Sequence, residues 1–93
     1  MVWYVPDGMK FAWRQFGDEA VVFNPASGQT HVLDAFSAWV LRELEISSSS
    51  REVLADRLVR ELGLEADLAG RRLKEVLAKF EVQGLVESDQ ESA

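Results

Sequence analysis

The sequence predicts an α+β domain in which a three-stranded antiparallel sheet is followed by three helices. Three observations carry this reading. Apolar and β-branched runs between Lys10 and Leu33 are separated by Gly17-Asp18 and by Asn24-Pro25-Ala26-Ser27-Gly28, turn signals close enough together to give consecutive hairpins. From Ala35 onward the apolar residues recur at helical rather than alternate spacing. Gly63 and Gly84 then stand just past the two later periodic stretches, where a helix finds its left-handed terminator.

The 93 residues, 47% of them hydrophobic, suffice for one core and not for two. A single domain over residues 1–87 is expected. Residues 88–93 lack any apolar anchor and are expected to form a disordered acidic tail. The chain has no cysteine, which removes disulfides, thiolate metal sites and thiol nucleophiles and fits a reducing compartment. It has no apolar run near the roughly 20 residues that span a bilayer, and Met1 to Asp7 lacks the pattern of a signal peptide. A cytoplasmic location without membrane association is therefore expected. A formal charge of −6 opposes non-specific attraction to nucleic acid or anionic lipid and favours a protein or peptide partner.

Trp3 to Val5 is apolar enough for a short edge strand or ordered arm, interrupted by Pro6-Asp7-Gly8. Lys10 to Phe16 reads as the first strand of the sheet, with Phe11 and Trp13 on one face. Glu19 to Phe23 is almost continuously apolar, which predicts a central strand covered on both faces. Gln29 to Leu33, carrying β-branched Thr30 and Val32, completes the meander at an edge.

Asp34 then has the position and chemistry of an N-cap for a helix over Ala35 to Glu45, whose buried stripe is Phe36, Trp39, Val40 and Leu44. The run Ser47 to Ser50 reads as a loop, and Ser49 with Glu52 matches a capping box for a second helix. That helix carries Val53, Leu54, Leu58 and Leu62 at helical spacing. A third helix runs from about Asp67 to Gln83 with a stripe of Ala69, Leu73, Val76, Leu77 and Phe80. Leu85-Val86-Glu87 forms a last short strand or docks on the core. This order of elements is winged-helix-like.

Little in the sequence points to catalysis. His31 is the only histidine, so with no cysteine it cannot by itself assemble an ordinary zinc site, and the glycines form no phosphate-cradling loop. No catalytic residue, cofactor or metal is assigned, and the chain is read as a non-enzyme. His31 has two readings: packed structurally on the sheet, or in contact with a ligand at the edge strand.

The segment Ser27-Gly28-Gln29-Thr30-His31-Val32-Leu33-Asp34, then Phe36 and Trp39, then Lys79-Phe80-Glu81-Val82-Gln83-Gly84-Leu85-Val86-Glu87, resembles the PqqD-like peptide chaperones. The resemblance covers nearly the whole chain. Its Ser-Gly-x-Thr-His-x-Leu-Asp form looks most like the branch found with a kinase-like partner, the HPr-rel-A system. Members are winged-helix domains, also called precursor-peptide recognition elements. They bind the leader of a ribosomally made peptide and present it to a modifying enzyme, often of the radical-SAM type, in pyrroloquinoline quinone or natural-product biosynthesis. Quinone-pathway members tend to carry Leu-Asn where this chain has Leu33-Asp34.

The resemblance implies a partner set of a precursor leader peptide and either a modifying enzyme or an HPr-kinase-related protein. It also implies a groove between the edge strand and the third helix. An open edge offers amide and carbonyl groups to an extended peptide, so Gln29, Thr30, His31, Val32 and Leu33 would pair with it. The facing stripe of the third helix would be Arg72, Glu75, Val76, Lys79 and Gln83. Residues 68–83 hold Arg71, Arg72, Lys74 and Lys79 against Glu75 and Glu81, a surplus of two positive charges in an acidic chain, which suits an acidic leader. Two other functions fit the same residues. One is a winged-helix transcriptional regulator with those four cations on DNA phosphates. The other is a structural subunit that self-associates through the open edge or the N-terminal arm.

Overall fold

The computed structural model describes residues 1–89. Strands β2 (Ala12–Phe16), β3 (Glu19–Asn24) and β4 (Gln29–Leu33) form an antiparallel meander in the order β2-β3-β4, with Val22 opposite both Trp13 and His31, and Ala20 opposite Leu33. The expected edge position of β4 is therefore observed. Gly17, at φ 59, makes the first turn, and Gly28, at φ 76, makes the second. In that second turn the buried Asn24 side chain accepts from the Ala26 amide at 3.0 Å, and its carbonyl accepts from the Gly28 amide at 2.8 Å. Asn24 thus satisfies the turn from inside, which is why a polar residue is tolerated there.

The sheet has one covered face. Ala20 and Val22 are wholly buried and Leu33 nearly so, whereas Phe23 and Val32 on the opposite face are 39% and 63% exposed. The apolar run of β3 led to an expectation of two covered faces, and this is corrected: on its outward face Glu19 and Phe23 are exposed and Val21 is only half-buried.

Helix α1 (Ala35–Ile46) crosses the covered face, burying Phe36, Val40, Leu41 and Leu44, with Trp39 packed against the same cluster. Trp13 fixes the crossing from the sheet side, donating from Nε1 to Glu45 Oε1 at 2.7 Å while the Arg42 guanidinium lies 4.4 Å above its ring. Helices α2 (Arg51–Leu62) and α3 (Ala66–Val82) add Leu54, Leu58, Ala69, Leu73, Leu77 and Phe80 to this core. Val53 and Leu62 share the apolar spacing of α2 but remain exposed. Gly63, at φ 68, ends α2, and an ion pair of 2.9 Å between Arg57 and Glu43 ties α2 to α1.

A second sheet was not expected. β1 (Val2–Tyr4) is its centre, antiparallel to β5 (Ser49–Ser50) on one side and to β6 (Glu87–Asp89) on the other. The N-terminal segment is thus a central strand rather than an edge or arm. Two corrections follow from its pairing. Ser49 and Ser50 are held extended by β1 instead of forming a loop, so the cap of α2 moves to Ser50, whose Oγ accepts from the Val53 amide at 3.1 Å. Ser88 and Asp89 belong to β6 and not to a tail, while the remaining tail residues, 90–93, lie outside the described residues. Gly84, at φ 76, turns the chain after α3, and Leu85 and Val86 dock in the core before β6.

Candidate functional site

The open edge of β4 begins at the Asn24–Gly28 turn and ends at Asp34. β3 takes one side of β4 and no described strand takes the other. The side chains alternate as the strand requires: His31 and Leu33 turn toward the helices, Thr30 and Val32 toward the open face. Leu33 is buried, so at this position only its backbone is available to a ligand. Gln29 and Thr30 are exposed and His31 is half-buried.

Asp34 converts the strand into a helix. Its extended backbone ends β4, and its Oδ1 accepts from the Ser37 amide at 2.8 Å, satisfying one of the free donors of α1. Its Oδ2 lies 3.6 Å from Arg72 Nη2, which reaches across from α3. The Arg72 guanidinium is stacked 4.3 Å above the ring of Phe36, the second residue of α1. One cation therefore links α3 to both the cap and the first aromatic of α1. The Asp34 carboxyl is held below its ordinary value chiefly by the Ser37 amide bond, with slight burial opposing, and with the Ser37 hydroxyl and the charges of Arg72 and Lys79 lowering it further.

Among the residues expected on the α3 stripe, Arg72 is thus brought to the end of β4, whereas Lys79, two turns further along α3, is exposed. Val76, between them, is half-buried against the core. Glu75 is exposed and pairs with neither cation within 4.0 Å. Gln83 is the C-cap of α3. Its Oε1 and the Nε2 of His31 are both buried without a hydrogen-bond partner, so each expected wall of the site holds one unsatisfied polar atom. Asp34 and Phe36 belong to this site but were absent from the expected site residues. Asp34 was legible as a cap, whereas its pairing with Arg72 joins residues far apart in sequence and leaves no local pattern.

Two open clefts of about 450 and 410 Å³ lie elsewhere, along the Val5–Phe11 segment and around the C-terminus of α1, and no residue of β4 or of the α3 stripe lines them. A strand edge needs no such cavity, because a ligand backbone that joins it lies in the plane of the sheet. Among the described residues there is no cluster of three or more His, Asp or Glu side chains able to hold a metal ion. None of the described helices is long and apolar enough to cross a membrane.

A search of curated proteins returns no match. Among solved structures, the chain is similar to "TbiB1 in Complex with the TbiA(beta) Leader Peptide", with a TM-score of 0.73 and 22% identity over 95% of this chain and 99% of that one. At that identity the likeness concerns the fold. The family model of Coenzyme PQQ synthesis protein D (PqqD) matches residues 19–86, from the first residue of β3 to the second of the two core residues that precede β6. That span holds the edge strand, all three helices and every residue of the candidate site, and the chain belongs to the PqqD family.

Proposed function

We propose that this protein is a non-catalytic peptide chaperone of the cytoplasm that binds the leader of a ribosomally made precursor by strand addition and presents it to a modifying enzyme. The observation that carries this reading is the unpaired edge of β4 with α3 tied to its end through Arg72 and Asp34. Such an edge supplies affinity through backbone bonds that any extended segment can make, and the neighbouring helix supplies side-chain discrimination. Family membership and the leader peptide in the TbiB1 complex support the same partner class. Gln29 to Leu33 are the pairing residues in this reading, and Arg72, Glu75, Val76, Lys79 and Gln83 form the facing wall.

An N-methyl scan of the ligand tests this without disturbing the protein. Short acidic candidate leader peptides are titrated by calorimetry, and a binder is resynthesised with one backbone amide methylated at a time. A peptide joined to β4 donates from alternate residues, so methylation is expected to abolish binding at every second position and to be tolerated between them. Uniform tolerance would contradict strand addition. A molecular mass that rises with protein concentration in the absence of peptide would reassign the edge to self-pairing.

A further inference from the structure

We propose that the open face of the sheet reads the bound peptide through the Val32 side chain, and that the peptide residue seated beside Val32 is β-branched or aromatic. The inference rests on the strand-addition reading above and adds to it a side-chain rule on the face turned away from the helices.

The uncovered face of an antiparallel sheet is ordinarily polar. Here its middle row runs Arg14, Val21, Val32 from β2 through β3 to β4, and the row beside it places Phe23 next to Thr30. The two edges of this face differ in kind. On β2 the row ends in the exposed side chain of Arg14, a charge that discourages another strand from joining there. On β4 it ends in Val32, which is 63% exposed, and no Asp, Glu, Lys or Arg stands between Gln29 and Leu33. The edge that leads to Asp34 therefore lacks the protection that the other edge has, and the centre of its open face is apolar.

Val32 has Val21 on one side and no described strand on the other. A strand that joins β4 enters that space at about 5 Å, the spacing of neighbouring strands. Its residue beside Val32 points to the same face, where it meets Val32 with Val21 behind it. A side chain with a broad apolar body close to the backbone, β-branched or aromatic, covers Val32 and pairs with it across the new ladder. A small residue leaves Val32 in water, and a charged one gains no partner beside it. The peptide residues on either side turn toward the helices and fall outside this rule.

The test is selection of a random displayed dodecapeptide library on the full chain and, in parallel, on the Val32→Lys protein. Val32 is exposed, so the lysine is expected to leave the fold intact. Peptides selected on the unmodified chain are expected to share a Val, Ile, Phe, Tyr or Trp at one fixed place. Replacing that residue by Ala is expected to weaken binding about two- to fivefold, the size of an apolar cross-strand pair. Against Val32→Lys that difference is expected to vanish and the selection to turn to Asp or Glu at the same place, while preferences at the helix-facing places on either side persist. Selected peptides with no shared residue at that place, or an Ala replacement that costs as much against Val32→Lys as against the unmodified chain, would overturn the proposal. So would a peptide-free dimer that Val32→Lys dissociates, since the face would then belong to a second copy. Amide NMR separates these results from failure of the underlying reading: peptides that bind and leave the β4 amides unshifted, or the absence of any selected peptide, would overturn strand addition and the side-chain rule with it.

Discussion

Asp34 ends a strand, caps a helix and anchors an arginine with one carboxylate, so its removal is felt in three places. Losing the cap alone costs about 1 kcal/mol, and Asp34→Ala is expected to lower stability by about that amount in urea denaturation. Asn caps as well as Asp, so Asp34→Asn is expected to keep most of that stability near neutral pH. The two differ in acid. The folded-state carboxyl titrates below its ordinary value of 3.8, so the stabilisation it supplies is complete above that value and is lost as pH falls through the lower, folded-state one. The unmodified protein is therefore expected to lose stability in that window by a component that Asp34→Asn lacks, which parallel denaturation series across the acid range would reveal. Elsewhere in the core, Phe80 is 1% exposed on α3, and Phe80→Ala is expected to cost about 3–5 kcal/mol.

At the scale of elements, the meander and the helices were legible because each has a period and a boundary. Gly17, Gly28, Gly63 and Gly84 all adopt the positive φ that turn and helix-end positions ask for. The stripe Ala69, Leu73, Leu77 and Phe80 is buried as its spacing implies. The second sheet was not legible, since strands of two or three residues hold too few side chains to show alternation, and β1 meets β6 only after the whole chain has folded between them. The same hidden pairing misplaced the α2 cap: Ser49 fits the capping-box spacing, but the ladder with β1 keeps the backbone extended through Ser50. Half of the candidate site was visible as an edge strand and a helical stripe, while its electrostatic link through Asp34 and Phe36 required the tertiary fold. Because β1 is the central strand of its sheet, Trp3→Ala weakens packing at the ladders on both sides. It is expected to cost about 2 kcal/mol, measurable by the same denaturation assay.

At the scale of the whole molecule, the net charge of −6 and the use of α3 argue together against nucleic acid. Of the four cations between residues 68 and 83, Arg72 is engaged with Asp34 and Phe36, leaving three to meet phosphates against the acidic total of the chain. No retention by duplex DNA is expected even at low salt, and a gel-shift series over ionic strength checks it. The sheet presents two open edges, β2 and β4, but only β4 leads into a helix cap held by α3. The most direct test of the account is backbone amide hydrogen exchange, with and without a candidate leader peptide that calorimetry has shown to bind. Slowed exchange at alternate residues of β4, from Gln29 to Leu33, with β2 unchanged, is the predicted result. Protection of Ala12 to Phe16 instead, or unaltered exchange at β4 under saturating peptide, would contradict it.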